Sequence, residues 1–418
     1  MGMNQTPISE RIHIGFFGKR NAGKSSLLNA ITGQNLSIVS RIKGTTTDPV
    51  YKTMELFPLG PVLFIDTPGI DDEGTLGTLR VQKSYQVLNK TDIAVLVIDE
   101  TIGITSAEEK FLMLIQKKQI PCLLVHNKLD LVENTEKKSA VSFRFSGKFQ
   151  EIWVSASENL HISALKKLLA SMKPEEIHKH PFISDLISPQ DLVILVISID
   201  QAAPKKRLIF PQQQTIREIL DCGGVALTVR DTELKQTLEQ FCAHGIRPKL
   251  VITDSQIFSE TAKTVPTNLM LTSFSILFAR YKGNLTSYFQ GIQTLSQIKT
   301  GDKILIAEGC THHRQCCDIG TVKIPAWIQG KTGQNPIFTF TCGGEFPECL
   351  TSYKMVIHCG GCMLSQREMH DRISRCCEQN IAITNYGILI AQITGILKRS
   401  LEPFPEIAPF AALPKNTI

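Results

Sequence analysis

The chain has 418 residues, enough for two or three domains of ordinary size. Hydrophobic residues make up 42% and charged residues 20%, a balance that is typical of folded globular domains and argues against a wholly disordered chain. The 45 lysines and arginines against 39 acidic residues give a net charge of only +6. This excess is too small to indicate nucleic-acid binding from charge alone.

No segment of the sequence predicts a membrane span. The longest apolar stretch, residues 381–397, is interrupted by polar side chains and falls short of the roughly 20 residues that a spanning helix needs. The N-terminal residues have neither the apolar core nor the cleavage site of a signal peptide. We therefore expect a cytoplasmic protein with no membrane partner.

The first third of the chain alternates between apolar runs and segments of helical period. Strands are predicted at 12–17, 50–56, 62–66, 93–99, 122–126 and 152–154. Helices are predicted at 24–32, 79–89, 106–118 and 161–172. Strand–helix alternation of this kind predicts an α/β fold with a mostly parallel sheet covered on both faces.

Residues 18–25 read GKRNAGKS and match the GxxxxGK[ST] phosphate-binding pattern between a predicted strand and a predicted helix. In this pattern glycines let backbone amides surround a phosphate, the lysine reaches the β and γ oxygens, and the hydroxyl ligates Mg²⁺. The predicted nucleotide-binding residues of this loop are Asn21, Ala22, Gly23, Lys24, Ser25 and Ser26.

Three further loops follow predicted strands in the order of a GTP site. The DTPG sequence at 66–69 places a carboxylate near the metal and a flexible peptide near the γ-phosphate. The NKLD sequence at 127–130 offers a carboxylate to both N1–H and the exocyclic amine of guanine, a pair that adenine does not present. The residues predicted to act in these loops, including the backbone that meets the guanine carbonyl, are Asp66, Gly69, Asn127, Lys128, Asp130, Ser155 and Ala156.

Residues 11–172 resemble the translation-factor-related GTPases, most closely the branch with the tRNA-modification GTPase TrmE and the ribosome-assembly GTPase Era. The resemblance identifies 44–48 as switch I, so Thr46 is expected on Mg²⁺ and the γ-phosphate, with Thr45 and Thr47 as alternatives. The resemblance also implies which residues act in catalysis and which hold the metal, and the two sets overlap. Catalysis would rest on Lys24, Thr46, Asp66 and Gly69, and Mg²⁺ on Ser25, Thr46 and Asp66.

Two positions bear on the rate of hydrolysis. Ras-like enzymes have a water-orienting glutamine where this chain has Ile70, so slow intrinsic hydrolysis is predicted. Asn21 stands where TrmE-like GTPases help to hold a potassium ion, and such a charge is worth about 10³–10⁵ in rate. The alternative is that Asn21 is only a loop residue satisfied by backbone.

A second, shorter α/β unit follows a proline-containing linker at 173–189. Its predicted strands are 192–199, 225–229 and 250–253, with helices at 212–220 and 233–243, and no motif in it carries recognisable chemistry. A third unit begins near residue 268 with helical patterns to 297. Strand-like runs then follow at 304–307, 338–341, 355–357 and 381–384.

The third unit holds most of the cysteines. Nine of the 12 fall between Cys310 and Cys377, which in a reducing compartment favours metal binding or redox chemistry over disulfides. If the four strands are parallel, the loops after them lie at one carboxyl edge, where open α/β sheets bind ligands. Two of these loops read C-x-H from Cys310 and H-C-x-x-C from His358. Cys310 with His312 or His358 would complete four ligands, for zinc or for an iron–sulfur cluster.

The GTPase motifs together with this C-x-H and H-C-x-x-C arrangement closely resemble one family, HydF, the GTPase maturation factors of FeFe hydrogenases. The segments 207–212, 251–256 and 271–281 are also similar. The resemblance implies a homodimer of three-domain chains: a GTPase domain at 1–174, a dimerisation domain at 175–266 and a domain binding a 4Fe–4S cluster at 267–418. It further implies a carrier for the two-iron precursor of the H-cluster, received through the radical-SAM maturases HydE and HydG and delivered to apo FeFe hydrogenase.

The same resemblance implies that Cys310, Cys359 and Cys362 are the thiolate ligands. The fourth iron would have an exchangeable ligand, with His358 or His312 as candidates and another oxygen or nitrogen group left open. Several other cysteines and a histidine need a role. Alternative ligands are His313, Cys316 and Cys317, whereas Cys122, Cys222, Cys242 and Cys349 are expected to pack.

Two other hypotheses about the function are compatible with parts of the sequence. The first is an RNA-directed GTPase of the TrmE/Era type with a structural zinc site, and the second is a zinc-stabilised signalling GTPase. Against the first, the sequence has no KH-like GxxG module with basic flanks, no arginine-rich stretch and no aromatic stacking motif. No nucleic-acid partner is therefore expected.

Overall fold

The computed structural model of the chain describes residues 6–33, 49–71, 74–132, 149–174, 180–199, 208–309 and 318–407. Contacts divide the chain into two compact units, residues 1–177 and 178–418. Within the described residues, no helix has the length and apolar character that crossing a membrane requires.

The first unit contains a six-stranded sheet in the order β2-β3-β1-β4-β5-β6. Its β2 runs antiparallel to β3, and the other neighbours are parallel. The strands are β1 (Ile12–Phe17), β2 (Val50–Leu56), β3 (Gly60–Asp66), β4 (Ile93–Asp99), β5 (Cys122–Asn127) and β6 (Gln150–Trp153). The helices are α1 (Lys24–Thr32), α2 (Gly74–Leu88), α3 (Ser106–Lys117) and α4 (Ile162–Ser171).

The central strands of this sheet are buried on both faces. Phe16 packs in one hydrophobic cluster and its neighbour Phe17 in another, and Val95 and Leu96 of β4 divide in the same way. Because successive side chains of a strand point to opposite faces, a continuous apolar run fits a strand that is covered on both sides. The carboxyl ends of β1, β3, β4, β5 and β6 consequently meet at one edge of the sheet.

The second unit contains two four-stranded sheets, and every neighbouring pair in them is parallel. The first has the order β10-β9-β7-β8, with β7 (Leu192–Ile197), β8 (Val225–Arg230), β9 (Leu250–Thr253) and β10 (Met270–Ser273). The second has the order β12-β11-β13-β14, with β11 (Lys303–Ala307), β12 (Ile337–Thr341), β13 (Met355–His358) and β14 (Ala382–Asn385). One hydrophobic core runs through both.

Nine helices cover these sheets within the described residues. They are α5 (Phe210–Asp221), α6 (Leu234–Ala243), α7 (Phe258–Thr264), α8 (Phe274–Lys282), α9 (Leu285–Ile292), α10 (Ile324–Thr332), α11 (Gln366–Glu378), α12 (Tyr386–Ile393) and α13 (Leu397–Leu401).

The predicted α/β fold with a P-loop domain and a mostly parallel sheet is confirmed. One local prediction is wrong: the helical pattern expected from residue 268 starts instead with the strand β10, which pairs with β9. Met270–Ser273 therefore belongs to the same sheet as β7–β9, although it follows the predicted boundary between residues 266 and 267. The division into three domains stays a prediction.

Candidate nucleotide and cysteine sites

The loop between β1 and α1 depends on two glycines with positive φ. Gly18 has a φ of 141°, and a Cβ there would lie 2.2 Å from the carbonyl oxygen of Val97. Gly23 has a φ of 91° and would place a Cβ 2.2 Å from Nδ2 of Asn127. Any side chain at these positions would push the loop away from the ends of β4 and β5. The glycines thus allow the phosphate loop to pack closely against the NKLD loop.

Lys24 is buried and its ammonium group is held by the loop itself. Nζ donates hydrogen bonds to the carbonyl oxygens of Gly18 at 2.9 Å and Lys19 at 2.7 Å. A buried ammonium needs such acceptors because its burial without them is costly. The same side chain is the one predicted to reach the β and γ phosphates.

Ser25 and Asp66 form a pair of oxygen donors at the start of α1. Ser25 Oγ donates to Oδ2 of Asp66 at 2.5 Å, while Oδ1 of Asp66 is buried with no hydrogen-bond partner among the described residues. Burial raises the pKa of Asp66, and the Ser25 hydrogen bond and the charges of Lys24 and Lys52 oppose that rise. Mg²⁺ prefers oxygen ligands of this kind, so the residues present fit the metal.

The loop after β3 is joined to the phosphate loop. Ile70 donates its amide hydrogen to the Gly18 carbonyl at 3.3 Å, and the Arg20 amide donates to Oδ1 of Asp71 at 2.8 Å. A Cβ on Gly69 would lie 2.9 Å from the Arg20 nitrogen, so this approach also requires glycine. Asp71 was not predicted from the sequence, because its contacts with the Arg20 amide and the Lys19 ammonium are visible only in the structure.

Asn127 links three loops of the site. Its Nδ2 donates to the Ala22 carbonyl at 2.9 Å, and its Oδ1 accepts from the Ala156 amide at 3.1 Å. Lys128 follows with a φ of 67° and donates from Nζ to Oδ2 of Asp99 at 2.5 Å. Asp99 also was not predicted as a residue of the site. Its position at the end of β4 is the sequence feature that could have indicated it.

Asp130 presents its carboxylate at the surface of the site. A hydrogen bond from Ser155 is the largest cause that lowers the pKa of Asp130, and Ser157 Oγ also donates to Oδ2 at 3.2 Å. The group is therefore ionised at neutral pH and keeps acceptor capacity for a ligand. This is the chemistry that guanine recognition by a carboxylate requires.

The structure brings the predicted nucleotide-binding residues to one edge of the first sheet. Asn21 and Ser26 are exposed there, and Asn21 has a φ of 63°. Thr46 and its alternatives Thr45 and Thr47 lie outside the described residues. The residues that the structure places at this edge are Asn21, Ala22, Gly23, Lys24, Ser25, Ser26, Asp66, Gly69, Asn127, Lys128, Asp130, Ser155 and Ala156.

The four strands of the C-terminal sheet are parallel, as the cysteine site requires. Ala307 of β11 is paired with both Thr341 of β12 and His358 of β13, and His358 is paired with Asn385 of β14. All four strands therefore end at the same level. The loop that contains Cys359 and the loop that begins at Glu308 therefore leave neighbouring strands of the sheet side by side.

Cys359 is surrounded by backbone donors. The Gly309 amide donates to its Sγ at 3.0 Å and the Gly361 amide at 3.4 Å. Burial raises the pKa of Cys359 to about 11, so the free thiol is neutral at physiological pH. Amide hydrogen bonds to sulfur are what a thiolate ligand of an iron–sulfur cluster uses to offset its charge, so this position fits a cluster ligand.

Cys362 lies beside a buried lysine. Lys282 Nζ donates to the carbonyl oxygens of Cys362 at 3.3 Å and Leu364 at 2.9 Å. Burial raises the pKa of Cys362 and the charge of Lys282 opposes that rise. The thiolate form would therefore gain from Lys282, which the sequence reading did not single out.

His358 is fully buried and both of its ring nitrogens have partners. Nδ1 lies 2.8 Å from the Cys359 carbonyl and donates to it, while Nε2 accepts from Nη1 of Arg372 at 2.9 Å. Burial, followed by the charge of Arg372, lowers the pKa of His358 to about 3. The ring is neutral, and Arg372 holds its acceptor nitrogen.

Arg372 is a further residue of this site that sequence reasoning missed. Its Nη2 donates to the Gly343 carbonyl at 2.6 Å and to Oε1 of Glu368 at 2.8 Å. Glu308, just after β11, is also buried, and the Tyr386 hydroxyl donates to its Oε1 at 3.3 Å. The (i, i+4) spacing of Glu368 and Arg372 was visible in the sequence, but their partner at His358 was not.

The remaining sequence-predicted ligands lie outside the described residues. These are Cys310 and His312, with the alternatives His313, Cys316 and Cys317. Within the parts of the chain that are described, no three His, Cys, Asp or Glu side chains are arranged to hold a metal ion.

The expected packing of four other cysteines is only partly confirmed. Cys122 is buried as predicted and Cys222 is half-buried. The prediction is wrong for Cys242 and Cys349, which are exposed, because their neighbours in α6 and in the loop after β12 leave the sulfur on the surface.

Three family models match the chain. A model described as 50S ribosome-binding GTPase matches residues 13–128, and with the loops above it defines the first unit as a P-loop GTPase domain. Models of the hydrogen maturase F dimerization domain and tetramerization domain match residues 182–283 and 286–403. The chain belongs to the hydrogen maturase F (HydF) family.

Individual relatives match mainly the GTPase domain. GTPase Der of Kosmotoga olearia is 36% identical over 138 residues, covering 32% of this chain and 31% of Der. The tRNA modification GTPase MnmE of Bacteroides fragilis is 32% identical over 171 residues, covering 39% of this chain and 36% of MnmE. The chain thus spans about a third of the length of these curated relatives. A crystal structure of an Aquifex aeolicus Era variant with GDP·AlF4⁻ aligns at 21% identity and a TM-score of 0.35, covering 52% of this chain and 92% of that one.

Proposed function

We propose that the protein binds and hydrolyses GTP in its first unit and carries a 4Fe–4S cluster in its second. In this proposal it acts as a scaffold or carrier for the two-iron precursor of the hydrogenase H-cluster. One observation carries it: a chain of the hydrogen maturase F family has Cys359 and Cys362 at the carboxyl edge of a parallel sheet, with two amides donating to the Cys359 sulfur.

In the proposed GTPase site each loop has one task. Asp130 and the Ala156 backbone orient guanine, and Asn127 keeps their loops in register with the phosphate loop. Lys24 leaves the Gly18 and Lys19 carbonyls to contact the β and γ phosphates. Bound Mg²⁺ would neutralise charge that develops on the phosphates. Its proposed ligands are Ser25, Thr46 and Asp66, and the Gly69 peptide lies on the γ-phosphate side.

Slow hydrolysis and stimulation by potassium are part of the proposal. Ile70 is buried and bonded through its backbone to Gly18, so it offers no group to orient water. Asn21, exposed in the phosphate loop, is the proposed K⁺ ligand. GTP turnover should be faster in KCl than in NaCl, and Asn21→Ala should remove this difference. Equal turnover in both salts would remove potassium from the proposal.

In the proposed cluster site Cys310, Cys359 and Cys362 are the thiolate ligands. The amides of Gly309 and Gly361 and the ammonium of Lys282 would stabilise their charge. The cluster, when bound, supplies an iron with an exchangeable position. His312 and His358 are the candidates for that position, but His358 would first have to give up its hydrogen bond from Arg372.

The proposed partners follow from the family. The radical-SAM maturases HydE and HydG would supply the precursor and apo FeFe hydrogenase would receive it, with the protein acting as a homodimer. The matches to dimerization and tetramerization domains support self-association. No nucleic-acid or membrane partner is part of the proposal, and the proposed location is the cytoplasm.

The first experiment compares anaerobically purified wild type with Cys359→Ala and with Cys349→Ala, an exposed cysteine, as the matched control. Iron, sulfide and zinc are measured, with EPR after reduction. We expect about four irons and four sulfides and a reduced-cluster signal in wild type and control, and their loss in Cys359→Ala. Stoichiometric zinc without a reconstitutable cluster would contradict the carrier function and favour the RNA-directed GTPase with a structural zinc site.

A further inference from the structure

A buried polar cluster lies directly behind the guanine-binding loops. His126 and Glu100 have side chains that are only 3% and 4% exposed, and Trp153 lies against them at the end of β6. Burying a carboxylate and an imidazole costs free energy unless each finds a partner. None of these three side chains belongs to the phosphate, metal or base contacts described above.

The three side chains are bonded to one another. His126 Nδ1 lies 2.6 Å from Oε2 of Glu100 and, because a carboxylate only accepts, carries the proton and donates it. Trp153 Nε1 donates to Oε1 of the same carboxylate at 3.4 Å. The His126 and Trp153 rings are stacked, with centroids 4.6 Å apart and planes 11° apart. His126 Nε2 faces Oε2 of Glu151 at 3.6 Å and makes no hydrogen bond within the described residues.

Each member is next to a residue that meets or orients guanine. His126 immediately precedes Asn127, and Glu100 follows Asp99, the partner of Lys128. The Glu100 amide also donates to the Asn127 carbonyl at 3.0 Å. Trp153 stands two residues before Ser155, in the loop that contains Ala156.

Backbone hydrogen bonds continue the same connection. The Val154 amide donates to the His126 carbonyl at 2.8 Å, and the Leu129 amide donates to the Val154 carbonyl at 3.1 Å. These bonds join the NKLD loop to the loop of Ser155 and Ala156 through the backbone of His126 and of Val154, the residue after Trp153. The stacked side chains of His126 and Trp153 therefore project from the same stretch of backbone that connects the two loops.

We propose that Glu100, His126 and Trp153 form a positioning triad that fixes the spacing of the two guanine loops and so sets base specificity. The inference rests on the proposed GTP binding and names residues that act through Asn127 and Asp130. The triad itself touches no part of the nucleotide. Its function is to hold the Asp130 carboxylate where it accepts both N1–H and the exocyclic amine.

The test compares the dissociation constants of GTP and inosine triphosphate, which has N1–H but lacks the exocyclic amine. Glu100→Ala removes the acceptor of two donors. We expect it to weaken GTP binding about tenfold and inosine triphosphate binding about threefold, since only GTP loses two bonds to Asp130. The preference for GTP therefore falls about threefold. Glu55→Ala, which removes an exposed carboxylate from β2 of the same unit, should leave the preference unchanged.

Two further variants separate positioning from general loss of structure. Glu100→Gln keeps an acceptor for His126 and should restore most of the preference, and Trp153→Phe keeps the ring and should give a smaller loss than Glu100→Ala. If Glu100→Ala does not fold, Glu100→Gln and Trp153→Phe test the positioning triad in its place. Equal weakening of both nucleotides in folded variants, or an unchanged preference, would overturn the triad. Wild type that binds no GTP would instead overturn the proposed function.

Discussion

The two four-stranded sheets of the second unit have the same strand order but end in different chemistry. In each, the first strand lies between the second and the third, giving β8-β7-β9-β10 and β12-β11-β13-β14. Val196 pairs with Thr253 in one sheet, and Ala307 pairs with His358 in the other. Equivalent places along the third strands are therefore Thr253 and His358, and the residues that follow them are Asp254 and Cys359.

The correspondence extends to single hydrogen bonds. The Ser198 amide donates to Oδ2 of Asp254 at 3.0 Å, and the Gly309 amide donates to Sγ of Cys359, also at 3.0 Å. After the last strand, the side chains of Ser273 and Asn385 cap the helices α8 and α12. The sequences there, LTSFSILFA at 271–279 and ITNYGILIA at 383–391, share Thr, Ile, Leu and Ala at the same places.

The difference lies in what fills the edge of each sheet. Asp254 accepts from the Ser198 hydroxyl at 3.1 Å and from Gln212 Nε2 at 3.0 Å, so oxygen and amide groups of the chain occupy that edge. The Cys359 sulfur accepts only backbone amides among the hydrogen bonds of the described residues. The same strand arrangement thus carries a closed polar cluster in one sheet and, in the other, the position of the proposed cluster ligand Cys359.

The largest effect is expected at the buried arginine of α11 that contacts the third strand of the C-terminal sheet. Arg372→Met leaves the buried His358 and the carboxylate of Glu368 without their donor. We expect a loss of about 3–5 kcal/mol in the free energy of unfolding of the second unit, measured by urea titration. Arg217→Met, which breaks an exposed pair with Asp221, serves as the control and should leave the free energy of unfolding almost unchanged. Equal losses would show that the Arg372 network does not stabilise this sheet.

The polar cluster of the first of these sheets should matter for stability but not for metal content. Asp254→Ala removes the acceptor of Ser198 and Gln212 and should cost about 2 kcal/mol in urea unfolding. Iron content after anaerobic reconstitution should equal that of wild type. Loss of iron in a folded Asp254→Ala protein would contradict the separation of the two edges.

Two cysteines of the C-terminal sheet, one buried and one exposed, are expected to differ in thiol reactivity in cluster-free protein. Because burial raises the pKa of Cys359 to about 11, its reactive thiolate is scarce at pH 8 and increases until the pH passes that value. Cys349 is exposed, and a hydrogen bond from Thr351 lowers its pKa. Iodoacetamide at pH 8 should therefore modify Cys349 at least about tenfold faster than Cys359, because a larger fraction of Cys349 is in the thiolate form. Peptide mass spectrometry measures the two rates. Similar rates of modification at the two cysteines would show that the Cys359 sulfur is accessible to solvent.

The smallest effect on stability is expected at Ser198, which follows the first strand of its sheet and donates to Asp254. Ser198→Ala keeps the amide that binds Asp254 and loses only the hydroxyl, so we expect about 0.5–1 kcal/mol less stability in urea unfolding. Its counterpart is Gly309, where a Cβ would lie 2.8 Å from Cγ of Leu364. We expect Gly309→Ala to cost more stability than Ser198→Ala, and the reverse order would contradict the equivalence of the two positions.

The sequence allowed the strand ends to be predicted because chemistry-bearing residues follow apolar runs there. Asp66, Asn127 and Cys359 were placed in this way, and the structure puts each at a carboxyl edge. The strand β10 was missed because four residues, Met270–Ser273, precede a helix without a turn signal between them.

Contacts between distant elements were not predictable. Arg372 lies in a strongly polar helix and looks like a solvent-facing residue in sequence, and only the packing of α11 near β13 brings it to His358. Lys282 is another example, since its acceptors at Cys362 and Leu364 lie about 80 residues later in the chain. Tertiary structure decides which charged side chains are buried, and local pattern does not record it.

The hydrogen bonds of Lys24 to its own loop have a consequence for nucleotide exchange. With Gly18 and Lys19 as acceptors, the ammonium group is already satisfied before any phosphate arrives. If Lys24 contacts phosphate as proposed, nucleotide binding replaces its two carbonyl partners by phosphate oxygens, and release reverses this replacement. Departure of the nucleotide therefore leaves the buried Lys24 ammonium with two carbonyl partners, which lowers the free-energy cost of the empty site.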